Sequence, residues 1–285
     1  MSAIITLCLN DGIIMGADSR ETSFLLTDRM MKRIEEIVRE AGQILLSAHV
    51  EKNDIHQKTG PANFVTDYDV RIQQFLIEEL SHILPGCGFF GEEDTEGNEH
   101  KIDAGYNFFI DPIDGTTNFI FDYRNSCVSV GLAEDGRMIA GWVYNPYTEQ
   151  FWSAKRGDGA CLNGRKLRIV DRGLSEGICA FGCARYNEGD GIFGILPELF
   201  TRSLSIRNGG SAAIDLCRIA SGSNIGYVEM LLQPYDYAAA SVIIEEAGGV
   251  IGQADGSPIT LDRGCSIVAG TRKAAEEIRG LLKKE

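Results

Sequence analysis

The chain has 285 residues, of which 44% are hydrophobic and 24% charged, with 33 glycines and a formal net charge of −14. That length suffices for one large α/β unit or two tightly packed subdomains. So negative a balance argues against non-specific binding to nucleic acid or to an anionic membrane, both polyanions, and suits equally a protein that handles cations or an acidic surface that merely aids solubility.

The predicted elements begin with a hairpin. Apolar residues 4–9 and 13–15 flank the turn Asn10-Asp11-Gly12, and residues 1–24 are set apart as an N-terminal extension. Residues 27–48 carry apolar side chains at spacings of three and four and predict a helix. A second helix spans 69–84 and stops at Pro85-Gly86. Strands are expected over 106–110, 127–132, 138–144, 150–154 and 160–162. The turn signals Glu134-Asp135-Gly136 and Asn163-Gly164 make this an antiparallel sheet, so residues 25–170 read as an α+β subdomain. From 171 to 285 strands and helices alternate: strand 178–183, helix 211–221, strand 224–232, helix 236–247, strand 266–269 and helix 271–284. Gly248-Gly249 caps the helix before it. Such alternation implies α/β layering.

Other chemistries find little support. The eight cysteines include no C-x-x-C pair, and Cys179 and Cys183 lack a matching second pair, so a zinc site is not expected. No signal peptide is evident, which points to free thiols in a reducing cytoplasm. The four histidines have no metal-ligand spacing. No apolar run is long enough to span a membrane, and no P-loop string occurs.

Four acidic motifs carry the chemistry. In Asp111-Pro112-Ile113-Asp114-Gly115-Thr116-Thr117-Asn118, a buried strand delivers Asp111, Asp114-Gly115 turns, and Thr116 opens a helical turn whose free N–H groups would face an anion. The bland alternative is an ordinary Asp-Gly turn with a helix cap. Gly91-Glu92-Glu93-Asp94 crowds acids at a strand end, which a divalent cation would offset. For Glu93 and Asp94 a solvated loop is the expectation. Asp236, in Pro234-Tyr235-Asp236-Tyr237, and Asp69, eleven residues after Lys58, each open a helix, where Asp is also a favoured N-cap.

Together these strings resemble the inositol monophosphatase family over roughly residues 28 to 285. The first motif matches without change from Asp111 to Phe119. Val143-Tyr144-Asn145-Pro146, Arg156-Gly157-Asp158-Gly159-Ala160 and Glu245-Glu246-Ala247-Gly248-Gly249 match as well. The family's Trp-Asp is Tyr235-Asp236 here, and its following Gly is Ala240.

The resemblance implies a layered α/β/α/β/α sandwich and Mg²⁺-dependent, Li⁺-sensitive hydrolysis of a small polyol phosphate. Myo-inositol monophosphate leads, and a cytoplasmic homodimer is implied. Two or three ions are implied, with Mn²⁺ able to substitute. Glu92, Asp111 and the Ile113 carbonyl would hold one ion, Asp111, Asp114 and Asp236 a second, and Glu92 with, through water, Asp69 a third. Thr116, with Glu92 or Asp69, would orient and deprotonate the water activated by the metals. Gly115 and Thr116 N–H groups would bind phosphate. Gly210, Ser211, Ala212 and Glu229 match substrate contacts. Relatives that hydrolyse fructose 1,6-bisphosphate, nucleotide 3′-phosphates or histidinol phosphate are the nearest rivals. Thr117-Asn118 replaces the Lys-Glu usual in the nucleotide enzymes. A non-catalytic regulator on this fold would have lost an acid, and all five are present.

Overall fold

The computed structural model describes residues 5–8, 14–17, 26–58, 63–93, 104–183 and 191–283. The expected N-terminal hairpin is there: β1 (Ile5–Cys8) pairs antiparallel with β2 (Ile14–Ala17), while its Asn10-Asp11-Gly12 turn lies outside the described residues.

Five layers follow from which faces are apolar. In the outermost layer, α1 (Asp28–Ser47) buries Met30, Ile34, Ile37, Val38, Ala41 and Leu45 along one face. It is capped by Thr27, whose hydroxyl accepts from the Met30 N–H at 3.3 Å. A short hairpin of β3 (Ile55–Gln57) and β4 (Phe64–Thr66) leads into α2 (Asp67–Ile83). These two helices cover a seven-stranded sheet. Its order is β11 (Arg165–Lys166), β10 (Gly159–Leu162), β9 (Gln150–Lys155), β8 (Arg137–Asn145), β7 (Cys127–Glu134), β6 (Tyr106–Asp114) and β5 (Gly88–Gly91). Neighbours are antiparallel except β5 and β6.

The middle layer is α5 (Ala212–Ala220) and α6 (Pro234–Glu246), packed against the sheet's other face. Helix α6 is apolar all round, burying nine of its residues, as a helix sandwiched between two sheets must. Beyond it lies a mixed sheet ordered β13 (Ser205–Arg207), β12 (Ile178–Phe181), β14 (Gly226–Leu232), β16 (Cys265–Gly270) and β15 (Val250–Gly252). Helices α4 (Ile192–Arg202) and α7 (Arg272–Leu282) close the far side. The layered α/β/α/β/α sandwich is therefore as expected. Strand β15 and helix α4 were not foreseen. Pro197 inside α4 argues against a helix there, yet Ile192, Ile195 and Leu199 bury a face against the second sheet.

Both helices that open near a motif acid start earlier than predicted. Helix α2 begins at Asp67 after Thr66, and α6 at Pro234 after Gln233. Asp69 and Asp236 therefore stand in the first turn rather than at its edge.

Candidate active site

Strand β6 does not release the chain at Asp111. It continues to Asp114, with a register shift against β7: Asp111 faces Ser129 and Asp114 faces Cys127. Three steps on β6 match two on β7, which is a one-residue bulge. Strict alternation would turn residues 111 and 114 to opposite faces. The bulge puts both on the face of Ser129 and Cys127. Pro112 sits inside it, where no ladder N–H is lost.

Gly115 then reverses the chain at φ 90°. A Cβ there would meet the Gly210 carbonyl at 2.9 Å and the Asn125 carbonyl at 3.1 Å, so only glycine fits. The short helix α3 (Thr116–Ile120) follows. The Thr116 hydroxyl, with one proton to give, lies 3.3 Å from Asp69 Oδ1 and 3.1 Å from the Ile113 carbonyl.

Asp69, Asp111 and Asp236 each accept from a backbone N–H through one oxygen, and Asp114 does so through both. Asp69 Oδ2 accepts from the Thr66 N–H at 2.8 Å and the Thr66 hydroxyl at 2.5 Å. Asp236 Oδ2 accepts from the Gln233 N–H at 2.7 Å. Neither aspartate is the N-cap that its position suggested: each stands at the third helical position and closes a capping box on Thr66 or Gln233. Asp111 Oδ1 accepts from the Ile113 N–H at 3.1 Å. Asp114 accepts from the Ser211 hydroxyl at 2.5 Å, the Ala212 N–H at 3.2 Å and the Ala213 N–H at 2.7 Å. The start of α5 is therefore clamped onto the end of β6, and Ser211 and Ala212 meet Asp114 before any ligand.

Glu92, Asp111, Asp114, Gly115, Thr116, Gly210, Ser211, Ala212, Glu229 and Asp236 border one cavity of about 440 Å³, with the Ile113 backbone. Asp69 stands behind Thr116, within reach of Glu92 and Glu93: the three offer oxygens within 4.8 Å of one another. Glu93 departs from expectation. It is no solvated loop residue, because its side chain is 9% exposed and Lys58 Nζ donates to it at 2.5 Å and to Glu92 at 3.0 Å. Asp94 lies outside the described residues. Sequence reasoning also missed Ser129, directly opposite Asp111, whose buried hydroxyl has no hydrogen-bond partner.

Electrostatics mark the cluster as one built for cations. Burial first, and then the negative charges of Glu92, Asp114 and Asp236, hold Asp111 well above the ordinary carboxylate range. Loss of water, then Asp114 and Glu92, do the same to Asp236. Burial pushes Asp69 up to about 7. It pushes Asp114 to about 6 even against its three hydrogen-bond donors. A set of hard oxygen donors that raise one another's proton affinity fits Mg²⁺ or a like ion, which would supply the missing positive charge.

Similarity now settles the lineage. The profile of the inositol monophosphatase family matches residues 27–285. The chain belongs to the inositol monophosphatase family. It is 33% identical to the inositol-1-monophosphatase of Bacillus subtilis over 235 residues, covering 82% of this chain and 88% of that one. The extragenic suppressor protein suhB of Bartonella henselae superposes with a TM-score of 0.81 at 31% identity, over 90% of this chain and 99% of that one. The inositol monophosphate-bound form of SaIMPase-II, from Staphylococcus aureus, superposes with a TM-score of 0.75 at 28% identity, over 88% and 92%. Family members are metal-dependent phosphatases. The departure at Tyr235 is absorbed by packing, its ring lying 6.1 Å from Phe90.

Proposed function

We propose that the protein hydrolyses a small polyol phosphate monoester, myo-inositol monophosphate first, to the free polyol and inorganic phosphate. The observation that carries this reading is the convergence of Glu92, Asp111, Asp114 and Asp236 on one cavity with Gly115, Thr116 and Glu229. Glu92, Asp111 and the Ile113 carbonyl would hold one Mg²⁺, Asp111, Asp114 and Asp236 a second, and Glu92 with, through water, Asp69 a third. Mn²⁺ substitutes on the same donors. Bound there, the ions would neutralise phosphoryl oxygens, acidify water and stabilise the leaving alkoxide.

The chain's own groups do the positioning. The N–H groups of Gly115 and Thr116, at the start of α3, cradle the phosphate. Thr116 Oγ1 donates toward Asp69 or Ile113, which leaves its oxygen to accept a hydrogen bond from the attacking water. The proton then passes along the Thr116–Asp69 contact to the Asp69 carboxylate, whose proton affinity burial raises. Attack is in line, with no covalent phospho-enzyme. Glu229 accepts from polyol hydroxyls, and the Gly210-Ser211-Ala212 turn borders the leaving group. A cytoplasmic homodimer completes the reading, and a sedimentation experiment tests that part by itself.

The deciding experiment is phosphate release from inositol 1-phosphate, fructose 1,6-bisphosphate, a nucleotide 3′-phosphate and histidinol phosphate. Inositol 1-phosphate should be fastest, with activity lost on chelation, restored by Mg²⁺ and inhibited by Li⁺. Full activity after exhaustive chelation, or no release from any polyol phosphate, overturns the proposal.

A further inference from the structure

Tyr227 and Glu229 stand two residues apart on β14 and so project from the same face of the second sheet. Both border the cavity, and both are buried, at 1% and 5% exposure. The Tyr227 hydroxyl donates to Glu229 Oε2. Room for the pair comes from Gly182, just beyond β12. A Cβ there would run into Glu229 Oε2 and the Tyr227 hydroxyl. The backbone is pinned at the same place, since the Gly182 N–H donates to the Val228 carbonyl at 3.0 Å.

A tyrosine hydroxyl needs a partner when buried, and a backbone carbonyl would serve. Here the partner is a carboxylate that borders the same cavity as the acids of β6. We propose that Tyr227 is the positioning residue for substrate selection: by donating to Oε2 it fixes the Glu229 carboxylate as an acceptor for substrate hydroxyls. The enzyme thereby favours phosphates whose neighbouring carbons carry hydroxyls over phosphates that lack them. Tyr227 itself stays protonated, because burial and the charge of Glu229 raise its pKa well above the ordinary value. It can therefore only donate to the carboxylate. A site that holds a carboxylate in place for a substrate hydroxyl discriminates against analogues without that hydroxyl, since they forgo the hydrogen bond it offers.

This inference rests on the polyol-phosphate reading, and its test separates the two. Tyr227→Phe removes one oxygen and keeps the ring. The kcat/KM ratio of inositol 1-phosphate to phenyl phosphate should fall about tenfold, carried by KM of the inositol ester, as expected for loss of one hydrogen bond to a charged group. In a Glu229→Gln background the same change should have little further effect, because the two residues act as one unit. Binding of inositol 1-phosphate and of inorganic phosphate, measured by calorimetry with Ca²⁺ in place of Mg²⁺, gives a readout independent of turnover. The affinity for the inositol ester should fall relative to phosphate by a similar factor. A ratio unchanged within about twofold, equal losses for both ligands, or full additivity with Glu229→Gln overturns the role of Tyr227. Absence of turnover in the unmodified protein with the binding difference intact would instead sink the proposed reaction and leave Tyr227 in its role.

Discussion

At Asp111, Glu92, Asp114 and Asp236 raise the proton affinity of a carboxyl that burial has already raised. Replacing it by Asn keeps the shape and the acceptor for the Ile113 N–H but removes the charge. Asp111→Asn should lose more than about a hundredfold in kcat with an unchanged circular dichroism spectrum, and near-normal turnover would disprove the assigned role. Protons and cations also compete here. Asp69 and Asp114, at about 7 and about 6, sit above the 3.8 of a free carboxyl. The metal-free fold therefore binds protons that the unfolded chain gives up. Stability from these groups is present below about pH 4 and is lost as pH climbs through 6 and 7. Bound Mg²⁺ offsets that loss. The melting temperature gap between Mg²⁺-loaded and metal-free protein should widen from pH 5 to 8. A gap independent of pH would show that these carboxyls do not hold the ion.

At the scale of elements, the turn after β6 is the most constrained piece. Gly115→Ala forces a Cβ into φ 90° and against two carbonyls, which should cost about 1–3 kcal/mol of strain. Because the same turn aims the α3 N–H groups, phosphate affinity should fall along with the unfolding midpoint. A melting shift without an affinity change would separate the two roles. The elements of the site were largely legible from residues alone: the string from Asp111 to Asn118, the helix starts near Asp69 and Asp236, and strand β14. Hidden from that reading was the bulge, since a register slip against β7 depends on a partner strand and leaves no local pattern. Glu93 was misjudged for a similar reason. Its burial comes from Lys58, 35 residues away. Helix α4 was not predicted either, and it carries Pro197 in its interior, where local preference counts against a helix.

Across the whole molecule, the middle layer decides where the site can form. Helix α6 lies so close to β8 that a Cβ on Gly141 would overlap the backbone of Ala239. Gly141→Ala should destabilise the protein by about 1–3 kcal/mol through overpacking. Because α6 also carries Asp236, Mg²⁺ affinity should drop with it. Calorimetric melting and metal titration on the one variant check both, and a stability loss with unaltered Mg²⁺ affinity would break the link. A second tie crosses the layers on the other side. Asn118 Nδ2 donates to the Asn125 and Gly209 carbonyls, each at 2.8 Å, and Asp215 accepts from the Gly209 N–H at 3.0 Å.

Asp69 and Asp236 each spend one oxygen on starting a helix while belonging to the acidic site. Anyone reshaping this pocket for a different ester should therefore leave both aspartates alone, or swap them only for residues that still accept at the same N–H. Truncating either one would take an acceptor from the opening turn of its helix, at a cost of about 1 kcal/mol, so a library that varies these two positions freely would lose stability along with the acid.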